Sequence, residues 1–170
     1  MGNGYTEDRA NVYFEARKTA SVYNGALRSR EGAAEMLGVS VSTLADYELG
    51  NTKVVPVDKV VLMADLYNCP QLKTGYCKHE CPIGRGKAIA TQVPTIEAAA
   101  LRLVRDLDGG KLEKLKADLV EIAADGKVSE GEREKMRGVV RELDQLAYTI
   151  SELKLFSERE LRTEAGQDGA

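Results

Sequence analysis

The sequence predicts an all-α protein, with an N-terminal bundle of short helices followed by a C-terminal helical hairpin or coiled-coil-like region. Apolar residues recur at helical spacing through 11–68 and 95–163, and no segment shows the alternation of period two that marks a strand. The 170 residues include no Trp and only two Phe, so the core must be aliphatic, which favours helices. At 43% hydrophobic and 30% charged, the composition is typical of a folded, soluble chain.

The order of these patterns divides the chain into four regions. Residues 1–68 carry the short helical patterns, and residues 95–163 carry longer ones punctuated by leucine. Between them, 69–94 hold all three cysteines, the only His and three of the four prolines, as expected of a linker. Residues 164–170 are small and polar and predict a flexible tail.

Charge and hydropathy exclude several classes of protein. A net charge of −3 and a pI of about 5.4 exclude a strongly basic coat that binds nucleic acid without regard to sequence. The apolar runs are far shorter than the ~20 residues of a membrane span. The sequence starts without an apolar leader, and three cysteines cannot form a closed set of disulfides. We therefore expect a cytoplasmic protein that does not enter a membrane.

The N-terminal region contains the signals of successive short helices. A first helix is expected over 12–23. A second begins after Ser29, whose side chain can cap it, and ends at Gly38, which can adopt a positive φ. Its inward face carries Ala34 and Leu37.

A third helix follows almost at once. It starts at Ser40, turns Leu44 and Tyr47 inward, and closes at Gly50. A short turn between two helices that approach closely at small Ala34 is the sequence pattern of a helix-turn-helix. A further helix is expected over 59–67.

These residues carry a resemblance to a known family. Ala34 in the first helix of the pair, Leu37-Gly-Val-Ser40 at the turn and Glu48-Leu-Gly50 at the exit stand in the order of the phage-repressor (Xre-like) helix-turn-helix family. The resemblance covers the first 70 residues. The whole chain is also similar to small regulators encoded on prophages and mobile elements.

The resemblance implies that the helix over 40–49 enters the major groove and reads bases with its N-terminal residues. The base-reading candidates are Ser40, Val41, Ser42, Thr43 and Asp46, since hydroxyls bond several base edges and a valine can contact a thymine methyl group. The residues expected near the DNA backbone are Arg28, Ser29 and Arg30 before the pair, and Asn51 and Lys53 after it.

One of these residues departs from the family pattern and leaves an alternative open. A carboxylate at Asp46 repels phosphate unless it accepts a hydrogen bond from a cytosine amino group. The alternative function is a helix-turn-helix scaffold that has become a protein-interaction module of a mobile element and does not bind DNA.

The linker concentrates residues that bind metals. Cys69, Cys77, His79 and Cys81 are thiol and imidazole groups that together could complete a tetrahedral zinc site. Pro82 favours an extended conformation at Cys81, which suits a knuckle-like loop. Three readings stay open: free thiols in a linker, a zinc site, and an iron–sulfur cluster or redox switch.

The C-terminal region predicts helices over 95–107, 111–124 and from 129 onward, where Ser129 and Glu132 form a capping box. Gly109-Gly110 is expected to break the first two apart. The apolar stripe of the first helix comprises Ile96, Ala100, Leu103 and Leu107. That of the last comprises Met136, Val139, Leu143, Leu146, Ile150 and Leu153. The second stripe has the spacing of a coiled-coil seam, which predicts a homodimer or an intramolecular bundle.

Taken together, these patterns predict a sequence-specific DNA-binding transcriptional regulator that acts as a dimer on double-stranded DNA. No Gly-rich phosphate loop, hydrolase elbow or His–carboxylate pairing stands in the sequence, so we do not expect an enzyme.

Overall fold

The computed structural model describes residues 4–167, with the side chains of 12–162, and this part of the chain is helical without strands. The predicted all-α class is therefore confirmed. The chain divides into two compact units: unit 1 comprises residues 1–85 and 159–170, and unit 2 comprises residues 86–158.

Unit 1 contains five α-helices near the N-terminus. They are α1 (Gly4–Ala20), α2 (Arg30–Leu37), α3 (Val41–Leu49), α4 (Val57–Leu66) and α5 (Gln71–His79), with a 3-10 helix (Gly25–Arg28) before α2. Unit 2 contains α6 (Ile96–Asp106), α7 (Gly109–Ala123) and the larger part of α8 (Arg133–Gln167), whose residues from 159 onward belong to unit 1.

The core of unit 1 is aliphatic, as the composition requires. Leu27, Leu44 and Met63 are fully buried at its centre, and Ala34 is buried where α2 meets α3. Small side chains at this crossing let the two helices approach closely, which sets the helix-turn-helix geometry. The core thus fixes where the N-terminus of α3 is presented.

Side-chain caps and glycines set the bounds of α2 and α3, as the sequence predicts. The Ser29 hydroxyl accepts from the Gly32 N–H, and the Ser40 hydroxyl accepts from the Thr43 N–H. Gly38 and Gly50 end the two helices with φ of 60° and 73°, in the left-handed region that favours glycine. These caps confirm both predicted boundaries.

A backbone contact fixes the start of α2 against the 3-10 helix. A Cβ atom at Gly32 would stand 2.2 Å from the Ala26 carbonyl oxygen, which no real side chain permits. At the other end of α2, the Lys59 ammonium group donates to the Leu37 carbonyl oxygen at 3.0 Å and ties α4 to it. Both contacts restrict the orientation of α2 within unit 1.

The cysteine segment is more structured than a linker. It contains helix α5, and Leu72 on that helix is buried in the core of unit 1 together with Cys69. The turn before it uses Asn68 in a left-handed conformation, with φ of 48°. The segment 69–94 was expected to be a linker because of its prolines, but Pro70 stands at the N-cap of α5, where it does not interrupt the helix.

In unit 2, α6 begins where predicted and α7 begins earlier. The Thr95 hydroxyl caps α6 by accepting from the Ala98 N–H. Gly109 and Gly110 were expected to break the helix, but they form the first turn of α7. The Asp108 carboxylate accepts there from the N–H groups of Gly110 and Lys111.

The buried faces of α6 and α8 differ from the predicted stripes. Ile96, Ala100 and Leu107 of α6 are exposed, and Ala99 and Asp106 are buried instead. On α8, Val139 of the predicted seam is buried, whereas Leu143 and Ile150 are exposed. The predicted seam is therefore buried at some positions and exposed at others.

A polar contact takes the place of apolar packing between α6 and α8. Thr149 is fully buried and its hydroxyl donates to the Asp106 carboxylate at 2.6 Å. This hydrogen bond, together with others from Gln145 and Arg105, holds the pKa of Asp106 below its usual value, although burial opposes the shift.

At the start of α8, the Ser129 N–H donates to the Glu132 carboxylate at 2.8 Å, which is one of the two hydrogen bonds of the predicted capping box. The helix continues to Gln167, through part of the predicted tail, and residues 168–170 lie outside the described residues. Within the described residues, no helix combines the length and the apolar character needed to cross a membrane.

Candidate nucleic-acid interface

A cluster of hydroxyl groups occupies the N-terminus of α3. The Ser40 hydroxyl lies 2.9 Å from that of Ser42 and 2.7 Å from that of Thr43. Ser40 and Ser42 are exposed, and Val41 between them is exposed as well. Three hydroxyls and one apolar side chain at a helix N-terminus can offer donors, acceptors and a methyl contact to base edges.

An open groove runs beside this cluster, between α1, the 3-10 helix and α3. The cations that line it are Arg17, Lys18, Arg28 and Arg30, and Val41 and Ser42 of α3 line it as well. The aromatic ring of Phe14 lies against the Lys18 ammonium group, 5.6 Å from the ring centroid. A single carboxylate, that of Glu31, also lines the groove. The groove therefore joins the reading end of α3 to a set of cations that suits a phosphate backbone.

A buried ion pair adjoins the groove through Arg17, which lines it. Arg17 and Glu48 are each at most 3% exposed, and the Arg17 guanidinium donates to both oxygens of the Glu48 carboxylate, at 2.5 and 3.0 Å. Arg17 also donates to the Leu27 carbonyl oxygen at 3.0 Å. This bidentate pair links α1 to the end of α3 and so fixes how α3 is presented.

Glu48 is ionised despite its burial. Burial alone would raise the pKa of its carboxyl group, but the hydrogen bonds from Arg17 and Arg30 outweigh that effect and hold the pKa below its usual value. The hydrogen bond between Arg17 and Glu48 also raises the pKa of the Arg17 guanidinium group. A fully charged network thus joins α3, which carries Glu48, to Arg17 on α1.

The structure gives Arg30 a second role beside the predicted one. Its Nε donates to the Glu48 carboxylate at 2.7 Å, and the residue is half-buried, so part of the guanidinium group is committed to the ion pair. Arg28 is exposed at the groove, and Ser29 caps α2 through its side chain.

Two other residues predicted to contact DNA, Asp46 and Asn51, form hydrogen bonds with each other. The Asn51 amide donates to the Asp46 carboxylate at 3.0 Å, and the Asn51 N–H donates to the Asp46 carbonyl oxygen at the same distance. The carboxylate that departs from the family pattern is therefore held by a neighbouring amide on the same surface. Lys53 follows them and is exposed.

Sequence reasoning missed three residues of this site: Lys18, Phe14 and Arg17, all on α1. They lie far from the α2–α3 pair in sequence, and a lone helical cation gives no periodic signal. Glu48 could have predicted them, because it is an acidic residue next to Tyr47 on the otherwise inward side of α3. A carboxylate at such a position implies a buried cationic partner.

The candidate metal ligands do not form a centre. Cys69 is buried in the core, where burial raises the pKa of its thiol to about 11, while Cys77 is exposed and Cys81 is partly exposed. Within 12–162, no three His, Cys, Asp or Glu side chains are grouped to hold a metal ion. The zinc and iron–sulfur readings of Cys69, Cys77, His79 and Cys81 thus gain no support from the geometry.

Comparison with known proteins identifies the segment that carries this interface. No curated protein and no solved structure matches the sequence. Residues 26–70 match the model of a helix-turn-helix family, and this match spans the 3-10 helix and α2 to α4. The match covers the predicted reading helix together with the helix before it. Over residues 26–70 the chain is therefore similar to the helix-turn-helix family, which supports the resemblance to phage-repressor-like (Xre-like) regulators.

Proposed function

We propose that this protein is a sequence-specific transcriptional regulator that binds double-stranded DNA as a dimer and reads the major groove with the helix over 40–49. The observation that supports the proposal is the groove in which Lys18, Arg28 and Arg30 adjoin the exposed hydroxyls at the N-terminus of α3. Cations for phosphates and hydroxyls for base edges lie on one surface, as a major-groove reader requires.

The proposal assigns separate roles to the two groups of residues. Ser42, Thr43 and Val41 contact base edges, while Lys18 and Arg28 hold the phosphates on one side of the groove. Asn51 and Lys53 contact the backbone on the other side. Asp46 accepts from a cytosine amino group when Asn51 turns to the phosphate.

The charge of the protein favours a dimer as the form that binds DNA. With a net charge of −3, one domain gains little from nonspecific attraction to DNA. Two domains on half-sites about 34–36 Å apart would double the specific contacts and raise the affinity through the effective concentration of the second domain. We propose a cytoplasmic protein with no catalytic role.

Selection of duplexes from a random pool with the full chain tests the proposal. We expect enrichment of an inverted repeat, which fluorescence anisotropy then shows to bind more tightly than a scrambled duplex of equal length. Failure to enrich any sequence, with no binding to duplex DNA at low salt, would contradict it and favour the protein-interaction module.

A further inference from the structure

The exposed side of α8 carries an apolar stripe of its own. Val140, Leu143 and Ile150 are 45%, 43% and 42% exposed, and Ala147 between them is exposed too. Their spacing of three and four residues is that of a coiled-coil seam. Val139, on the adjacent side of the helix, is buried within unit 2.

Unit 2 buries few apolar side chains by itself. Among its described residues, the buried apolar ones are Ala90, Ala99, Ile122, Val139 and Leu155, and two of the five are alanines. Unit 1 buries fifteen in one cluster. A helical unit with so thin a core gains substantially if a partner covers an apolar face.

The charges beside the stripe identify the partner. Arg137 and Asp144 lie along one edge of it and carry opposite signs, so this edge is complementary to itself rather than to an acidic or basic partner. We propose that a second copy of this chain packs antiparallel against the Val140–Leu143–Ala147–Ile150 stripe. This inference rests on the proposed function, since it names the surface through which the regulator dimerises.

The antiparallel direction follows from the position of the flanking charges. Arg137 and Asp144 lie seven residues apart on the same edge of the stripe. In an antiparallel pair of helices, this edge of one helix faces the same edge of the other. With the two-fold axis between Val140 and Leu143, Arg137 of one copy lies opposite Asp144 of the other, and this happens twice. In a parallel pair that edge faces the edge of Val139, which is buried in its own unit, so neither charge finds a partner.

In the monomer, Arg137 pairs with Glu134 one turn earlier, at 2.9 Å, and both side chains are largely exposed. An exposed pair of this kind stabilises little, so its exchange for a pair between copies costs little.

Sedimentation equilibrium of the full chain without DNA tests the inference. We expect a dimer whose dissociation constant rises about 100-fold in Leu143→Glu or Val140→Glu, because each substitution lies beside the two-fold axis and buries two uncompensated charges per dimer. Val120→Glu is the matched control: Val120 is a more exposed apolar residue of unit 2, on α7, and its substitution should leave the dimer intact. A monomeric wild type, or equal dissociation by Val120→Glu, would overturn the assignment.

A charge exchange tests the direction without altering the apolar stripe. Arg137→Asp and Asp144→Arg should each weaken the dimer, and the double variant should restore it. Absence of restoration would overturn the antiparallel arrangement. Far-UV circular dichroism verifies that each variant folds.

Binding to a duplex with one half-site separates this inference from the proposed function. Stripe variants should retain the affinity for a single half-site and lose the extra affinity for the full site. A dimeric protein that binds no duplex would refute DNA recognition while supporting the stripe.

Discussion

Arg17 and Glu48 lie thirty-one positions apart in sequence and form a bidentate ion pair in the interior of unit 1. The pair joins the helix that lines the cationic groove to the helix that carries the reading residues. A second cation, Arg30, donates to the same carboxylate from the edge of the groove. Stability of the fold and presentation of the proposed DNA-binding surface therefore depend on the same carboxylate.

Replacement of Glu48 should destabilise unit 1 strongly. Glu48→Gln leaves the Arg17 guanidinium buried without its counter-charge, and we expect a loss of about 3 kcal/mol in the free energy of unfolding. Urea denaturation followed by circular dichroism measures it. Glu31→Gln, at an exposed carboxylate of the same groove, should change the free energy by less than about 0.5 kcal/mol. A small effect of Glu48→Gln would show that water or another group solvates Arg17.

The stability contributed by Glu48 should depend on pH. Because its folded pKa lies below the usual value of 4.5, the ionised carboxylate stabilises the folded state above about pH 4.5, and this contribution is lost as the pH falls through the folded pKa. The difference in urea midpoint between wild type and Glu48→Gln should therefore be constant near neutrality and shrink below pH 4.5. A difference that stays constant down to pH 3 would argue against the lowered pKa.

Removal of the reading hydroxyls should affect specific binding alone. On the proposed function, Ser42→Ala with Thr43→Ala removes hydroxyl contacts to base edges, and we expect a loss of about 1–3 kcal/mol on the selected site. Binding to a scrambled duplex should stay unchanged, since the cations are intact. Thr74→Ala, at a hydroxyl on α5, serves as control. Equal affinity of the double variant and wild type for the selected site would contradict the assignment of α3.

Lys18 should act on every DNA sequence equally. Lys18→Ala removes one cation from the groove, so affinity should fall by the same factor on specific and scrambled duplexes, and the salt dependence of binding should decrease by about one counterion. Lys116→Ala, which removes an exposed cation of α7, should leave the salt dependence unchanged. A selective loss on the specific site would instead place Lys18 at a base.

The buried hydroxyl in unit 2 provides a separate test of that unit. Thr149→Val keeps the volume but removes the hydrogen bond to Asp106, and we expect a loss of about 1–2 kcal/mol together with a rise in the pKa of Asp106. Titration by nuclear magnetic resonance measures the pKa. Thr149→Ser retains the hydroxyl group and should retain the low pKa. An unchanged pKa in Thr149→Val would assign the shift to Arg105 and Gln145.

The sequence predicted those features that local chemistry determines. Ser29, Ser40, Gly38 and Gly50 set the bounds of α2 and α3 by capping and by φ, and both were found where expected. Features that depend on distant residues were not predictable in this way. The partner of Glu48 lies on α1, and no pattern along the chain connects the two.

Apolar spacing alone also failed to identify which face of a helix is buried. The stripe of α8 has seam spacing on two adjacent sides, and a buried threonine bonded to Asp106 determines which side turns inward. Gly109 and Gly110 were expected to break the helix because glycine has a low helix propensity. That expectation did not take into account the Asp108 carboxylate, which caps α7.

On the proposed function, the hydrogen bonds at the two ends of α3 affect how the protein would search a genome. In the free protein the Ser40, Ser42 and Thr43 hydroxyls bond one another, and Asn51 bonds Asp46, so the polar groups of the reading surface are already satisfied. A DNA sequence without matching base edges would not replace these internal hydrogen bonds. The protein would then bind that sequence weakly and dissociate quickly. Only a site that replaces several of these internal hydrogen bonds at once would bind the protein tightly. The same few side chains would therefore allow both rapid scanning and stable binding at the specific site.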